Sequence, residues 1–123
     1  MEERKKTVLV VDDAKFIREF LEAQLSNDYN IITAKDGKEG VAMFKDCHPD
    51  AVLLDINMPK LHGVEALQQM ISFNNQARII MISIEDDYEI IDDCKAFGAI
   101  DYIIKPFSMD TLYLSLHVAL HDS

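Results

Sequence analysis

Five short apolar runs, each followed by a stretch of helical period, constrain this chain more than any other feature. The runs cover residues 7–11, 29–34, 51–54, 78–82 and 100–104. They are rich in valine and isoleucine and do not alternate with polar residues, the pattern of strands buried on both faces. Between them the period changes. Phe16, Ile17, Phe20, Leu21 and Leu25 fall on one helical face, as do Val64, Leu67, Gln68, Met70 and Ile71. Repeated strand–helix alternation predicts one doubly wound α/β domain, with a five-stranded parallel sheet and right-handed crossovers.

Local signals set the boundaries. Asp13 is placed to cap the first helix. Asp36-Gly37 reads as a turn, and His48-Pro49-Asp50 breaks the second helix. Gly63 is expected to permit a tight loop after Pro59. Glu85-Asp86-Asp87 opens the fourth helix and Gly98 closes it. The last segment is ambiguous, because Leu112, Leu114, Leu116, Val118 and Leu120 alternate like a strand. Ser108 and Asp110 at its start, together with the topology, favour a helix.

Composition excludes several classes. The chain has 123 residues and a net charge of −10, so direct nucleic-acid binding is disfavoured. No apolar run reaches membrane-span length, and no signal-peptide core follows the charged N-terminus, so a cytoplasmic protein is expected. Cys47 and Cys94 share no metal or redox spacing and read as reduced, half-buried thiols.

The chemistry lies at the strand ends. The first run stops at Asp12-Asp13, the third at Asp55, the fourth at Ser83 and the fifth at Lys105. In a parallel sheet these ends share one edge, where open α/β sheets place their ligands. Two carboxylates ~4 Å apart repel by about 4 kcal/mol at an effective dielectric near 20. An oxygen-seeking divalent cation such as Mg²⁺ would offset that repulsion.

The fragments Val10-Val11-Asp12-Asp13, Leu54-Asp55-Ile56-Asn57-Met58-Pro59, Ser83 and Ile104-Lys105-Pro106-Phe107 closely resemble the response-regulator receiver domain of two-component signalling, similar to the chemotaxis receivers. The resemblance spans about residues 5–121 of a single domain covering 1–123, and implies the (βα)5 flavodoxin-like receiver fold. It implies that Asp55 accepts a phosphoryl group from a histidine kinase. Asp13 and Asp55, with the Asn57 backbone carbonyl, would hold Mg²⁺, and Asp12 would act mostly through a coordinated water. Lys105 would pair with phosphoryl oxygens, beside a cis bond to Pro106. Ser83 would hydrogen-bond the phosphoryl group, and Tyr102 would be the aromatic switch, read out on helix four, strand five and helix five.

Two positions depart from the family pattern. Ile84 stands where receivers usually carry alanine or glycine, and is expected to gate access to Asp55. In the last helix Tyr113, Leu114, His117 and Val118 are expected outward, as a partner or homodimer surface without lysine or arginine. The expected function is a phosphorylation-switched signalling module rather than an enzyme. Its partners would be a histidine kinase or phosphotransfer protein, and a downstream protein or attached output domain. No output domain is apparent, so the chain reads as a stand-alone receiver or as one cut from a longer regulator.

Three alternative functions have different requirements. A phosphorelay intermediate would pass the group to a histidine phosphotransfer protein. A haloacid-dehalogenase-like phosphatase needs an Asp-x-Asp pair that does not follow the first strand. A flavin or nucleotide carrier needs a Gly/Ser/Thr-rich first loop, where Asp12-Asp13 would repel phosphate.

Overall fold

The computed structural model describes residues 4–121. Its elements alternate strictly: β1 (Thr7–Val11), α1 (Lys15–Leu25), β2 (Asn30–Ala34), α2 (Gly37–Cys47), β3 (Ala51–Leu54), α3 (Gly63–Phe73), β4 (Ile79–Ser83), α4 (Tyr88–Ala96), β5 (Asp101–Ile104) and α5 (Met109–His121). The strands form one parallel sheet in the order β2-β1-β3-β4-β5. The expected doubly wound α/β fold is therefore present. The last segment is a helix, and the Ser108 hydroxyl accepts from the Thr111 N–H at its start.

Successive strand side chains point to opposite faces, so each run feeds two cores. Leu9, Val11, Val52, Leu54, Ile79 and Met81 pack under α2, α3 and α4. Val8, Val10, Ala51, Leu53, Ile80 and Ile82 pack under α1 and α5, against Leu21, Leu25, Leu112 and Leu116. The central strands bury both faces, which is why their sequences do not alternate.

Several expectations change. The five apolar residues of α1 do not all reach the core. Leu21 and Leu25 are buried and Ile17 packs partly against them, but Phe16 and Phe20 are exposed. Those two rings stack on each other, with centroids 6.3 Å apart. α1 meets the sheet along a stripe narrower than its apolar face. Asp36-Gly37 is a helix start rather than a free turn: the Asp36 carboxylate accepts from Glu39 N–H, and Gly37 is the first helical residue. Glu85 and Asp86 precede α4, and Asp87 caps it. Cys47 is exposed and Cys94 buried, so neither is half-buried.

Gly63 does not bend the loop. Lys60 takes the left-handed conformation there, at φ 70°. Gly63 is required because α3 starts against the β3 exit. Its N–H donates to the Ile56 carbonyl at 2.7 Å, and an added Cβ would lie 2.1 Å from the Asp55 carbonyl oxygen. Gly63→Ala therefore pushes backbone against backbone. It is expected to cost about 1–3 kcal/mol, the range for an overpacked site. Urea denaturation would show it as a lowered midpoint; an unchanged midpoint would mean that the α3 start moves freely.

Candidate functional site

The sheet ladder continues one residue past three strands and fixes the site backbone. Asp12 N–H donates to the Ala34 carbonyl, Asp55 N–H to Val11, and Lys105 N–H to Ser83, at 3.1, 3.0 and 2.8 Å. The side chains that follow the strands therefore share the carboxyl edge, as expected. The Lys105–Pro106 peptide is cis.

Asp12, Asp13 and Asp55 each offer an oxygen within 4.8 Å of the others, a group that could hold a metal ion. Asp12 and Asp55 are buried and Asp13 is exposed. The Lys105 ammonium reaches both buried acids, at 2.8 Å from Asp12 Oδ2 and 3.9 Å from Asp55 Oδ1. Asp12 also accepts from the Ala14 N–H through Oδ1, and Asp55 Oδ1 accepts from the Ile56 N–H. Asp13 does not cap α1. The cap is Ala14, without a side-chain bond, and it is Asp12 that turns back onto the chain. The Asp13 carboxylate has no hydrogen-bond or ion-pair partner among the described residues, which leaves it facing solvent with both oxygens available.

Burial, then the Asp12 carboxylate, pushes the Asp55 carboxyl up to about 6; Lys105 and the Ile56 N–H pull the other way and do not cancel the rise. One ammonium is insufficient for three carboxylates.

The rim is built from the β4–α4 loop. Ser83 is fully buried, and its hydroxyl accepts from the Glu85 N–H at 3.1 Å. The Tyr102 phenol, half-buried on β5, donates to the Glu85 carbonyl at 2.7 Å. Burial pushes this phenol up, and the Ser83 hydroxyl opposes that shift. Asn57 donates its side-chain amide to Glu85 Oε1 at 3.3 Å, while its own carbonyl accepts no hydrogen bond from a described residue. Glu85 thus joins Ser83, Tyr102 and Asn57. Sequence reasoning saw only an acid at a helix start, because two of the three contacts use its backbone.

Ile84 is 70% exposed and stands in an apolar groove with Phe16, Ile17, Phe20, Pro106 and Phe107, which Lys105 joins to the acidic centre. On α5, Leu114, His117 and Val118 are exposed, but Tyr113 is half-buried and its phenol donates to the Gln24 carbonyl at 2.6 Å. Tyr113 therefore belongs to the α1–α5 contact and leaves the expected partner surface.

A carboxyl raised from 3.8 to about 6 on folding contributes stability below pH 4 that is lost as the pH climbs through 6. Without divalent cations, Asp55→Asn is expected to be roughly 3 kcal/mol more stable than the native chain at pH 7.5, at about 1.4 kcal/mol per pKa unit. The difference should vanish below pH 4. Thermal melts across this range check it, and equal stability at pH 7.5 would show the carboxylates to be adequately compensated.

Comparison with known proteins agrees with this geometry. The response regulator receiver domain matches residues 8–117. The chemotaxis protein CheY of Bacillus subtilis is 34% identical over 116 residues, 93% of this chain and 97% of CheY. The regulatory protein AtoC of Escherichia coli is 34% identical over 114 residues, 92% of this chain but only 25% of AtoC. Among solved structures, CheY of Borrelia burgdorferi, in a complex of CheX, CheY, BeF3 and Mg²⁺, superposes with a TM-score of 0.85 at 35% identity, covering 91% of this chain and 87% of that one. With an unbroken match over most of its length and the acidic cluster at the expected strand ends, the chain belongs to the response regulator receiver domain family.

Proposed function

We propose that Asp55 accepts a phosphoryl group from a phosphohistidine donor and that the resulting acyl phosphate switches partner binding on the α4-β5-α5 face. One observation carries this reading: three carboxylates converge beside a single lysine on the sheet's carboxyl edge, with Asp55 held up at about 6. An Asp55 oxygen attacks phosphorus, the P–N bond to the donor imidazole breaks, and that imidazole leaves with the electron pair and takes up a proton. Lys105 lies close enough to Asp55 to turn from Asp12 onto the incoming phosphoryl oxygens.

The donor set fits Mg²⁺, because every side chain offered is a carboxylate oxygen. Asp13 and Asp55 would hold the ion with the Asn57 carbonyl, and Asp12 would act through a coordinated water. Bound there, Mg²⁺ supplies positive charge against the phosphoryl oxygens. BeF3 and Mg²⁺ in the complex of the Borrelia relative support the same assignment.

Asp55 is mostly covered, so its donor must approach across the rim. The exposed Phe16, Phe20 and Ile84 suit contact with the apolar flank of a phosphohistidine-bearing protein. The same rim serves a second reading, in which the group passes onward to a histidine phosphotransfer protein. Transfer between purified proteins separates the two directions. Ser83 donating to a phosphoryl oxygen would draw on Glu85, and Glu85 on Tyr102, which carries the event to β5 and the start of α4. A downstream protein, an attached output domain or a second copy would read the altered face. The module works in signalling, and any phosphoryl turnover is its own.

In the presence of Mg²⁺, a small phosphodonor or a phosphorylated kinase should add one phosphoryl group to the native chain and none to Asp55→Asn. Intact-mass measurement reads this directly, and labelling of the variant would move the acceptor elsewhere. Ile84→Ala should speed both acetyl-phosphate labelling and loss of the label by several-fold, because the rim opens to small donors and water. Rates equal to the native protein's would remove Ile84 as a gate.

A further inference from the structure

α5 carries two imidazoles one turn apart. His117 and His121 are both exposed, with ring centroids 4.6 Å apart and planes tilted by 33°. Histidines at this spacing face one ligand position, as in the two metal-binding histidines of helical H-x-x-x-H segments. They also belong to a longer stripe: Leu114, His117, Val118 and His121 follow the spacing of one helical face. Leu114 is 65% and Val118 49% exposed. α5 contains no lysine or arginine, and its one carboxylate, Asp110, lies at its other end. α5 runs back from the carboxyl edge of the sheet, so the histidine pair lies at the end remote from Asp55 and is independent of the phosphoryl chemistry proposed there.

We propose that His117 and His121 chelate Zn²⁺ and that the same pair from a second copy of this chain completes the site. Zinc takes four ligands in a tetrahedron. Among the described residues, the one cluster of three or more candidate ligands is Asp12, Asp13 and Asp55, so none of them completes the histidine pair. A two-fold axis through the metal supplies the missing two nitrogens with the same surface that supplies the first two. It also lays the stripe against itself, so that Leu114 and Val118 leave water as the metal is shared. The exposed apolar residues and the incomplete ligand pair then have one explanation.

Sedimentation velocity at pH 7.5 tests this on chelator-stripped protein, with excess Mg²⁺ to occupy the carboxylates at the other edge. The metal-free chain should be monomeric. Half an equivalent of Zn²⁺ per chain should convert it to a dimer, and Co²⁺ in its place should give the visible absorption of a tetrahedral site. His117→Ala and His121→Ala, both surface changes, should each raise the zinc needed at least tenfold. A monomer at one equivalent of zinc, a dimer equally strong without zinc, or a zinc dimer that survives in the double variant would overturn the proposal.

Discussion

The acidic centre depends on one unfavourable interaction. Asp12 and Asp55 are buried side by side with Asp13 at the mouth, and among the described residues Lys105 makes the ion pairs to the buried two. A protein selected only for stability would not keep that arrangement, because removing a buried like-charge contact is favourable. What maintains it is the sheet. Asp12, Asp55 and Lys105 each follow a strand whose ladder runs one residue further, so their backbones cannot spread without breaking hydrogen bonds. The strand ends hold the charges together, and the two cores beneath hold the strand ends.

The rim beside these charges is tied together by one residue. Glu85 uses its N–H, its carbonyl and its carboxylate on three different residues, two of them on the neighbouring strands β4 and β5. Two hydrogen bonds through Glu85 link Ser83 to Tyr102, the route that the proposed switch would use. Gly63 does similar service on the other side of Asp55, by letting α3 start against the Asp55 carbonyl. Both devices rest in part on backbone groups, which makes them stiff.

Most of the fold was legible because a parallel sheet covered on both faces writes its strands as unbroken apolar runs. The acidic cluster was legible for the same reason, since each run ends at its chemical residue. What escaped were choices settled by distant contacts or narrow margins. Asp12 rather than Asp13 bonds the start of α1, and adjacent acids look alike in sequence. Tyr113 reaches Gln24, 89 residues away, so its helical angle alone placed it wrongly outside. Phe16 and Phe20 satisfied the helical period yet stand exposed, because apolar periodicity records a wider arc than the sheet can cover. The bond between Lys105 and Asp12 spans 93 residues, and only the topology brings them together.

In the proposed function the carboxylates stay crowded until a cation binds. A carboxyl-carbon NMR titration of Asp55, with and without saturating Mg²⁺, measures that crowding directly. The expected result is an apparent pKa near 6 in the metal-free protein, falling below the ordinary aspartate range of about 4 when Mg²⁺ is bound. An ordinary value without metal, or one that Mg²⁺ leaves unchanged, would contradict the account.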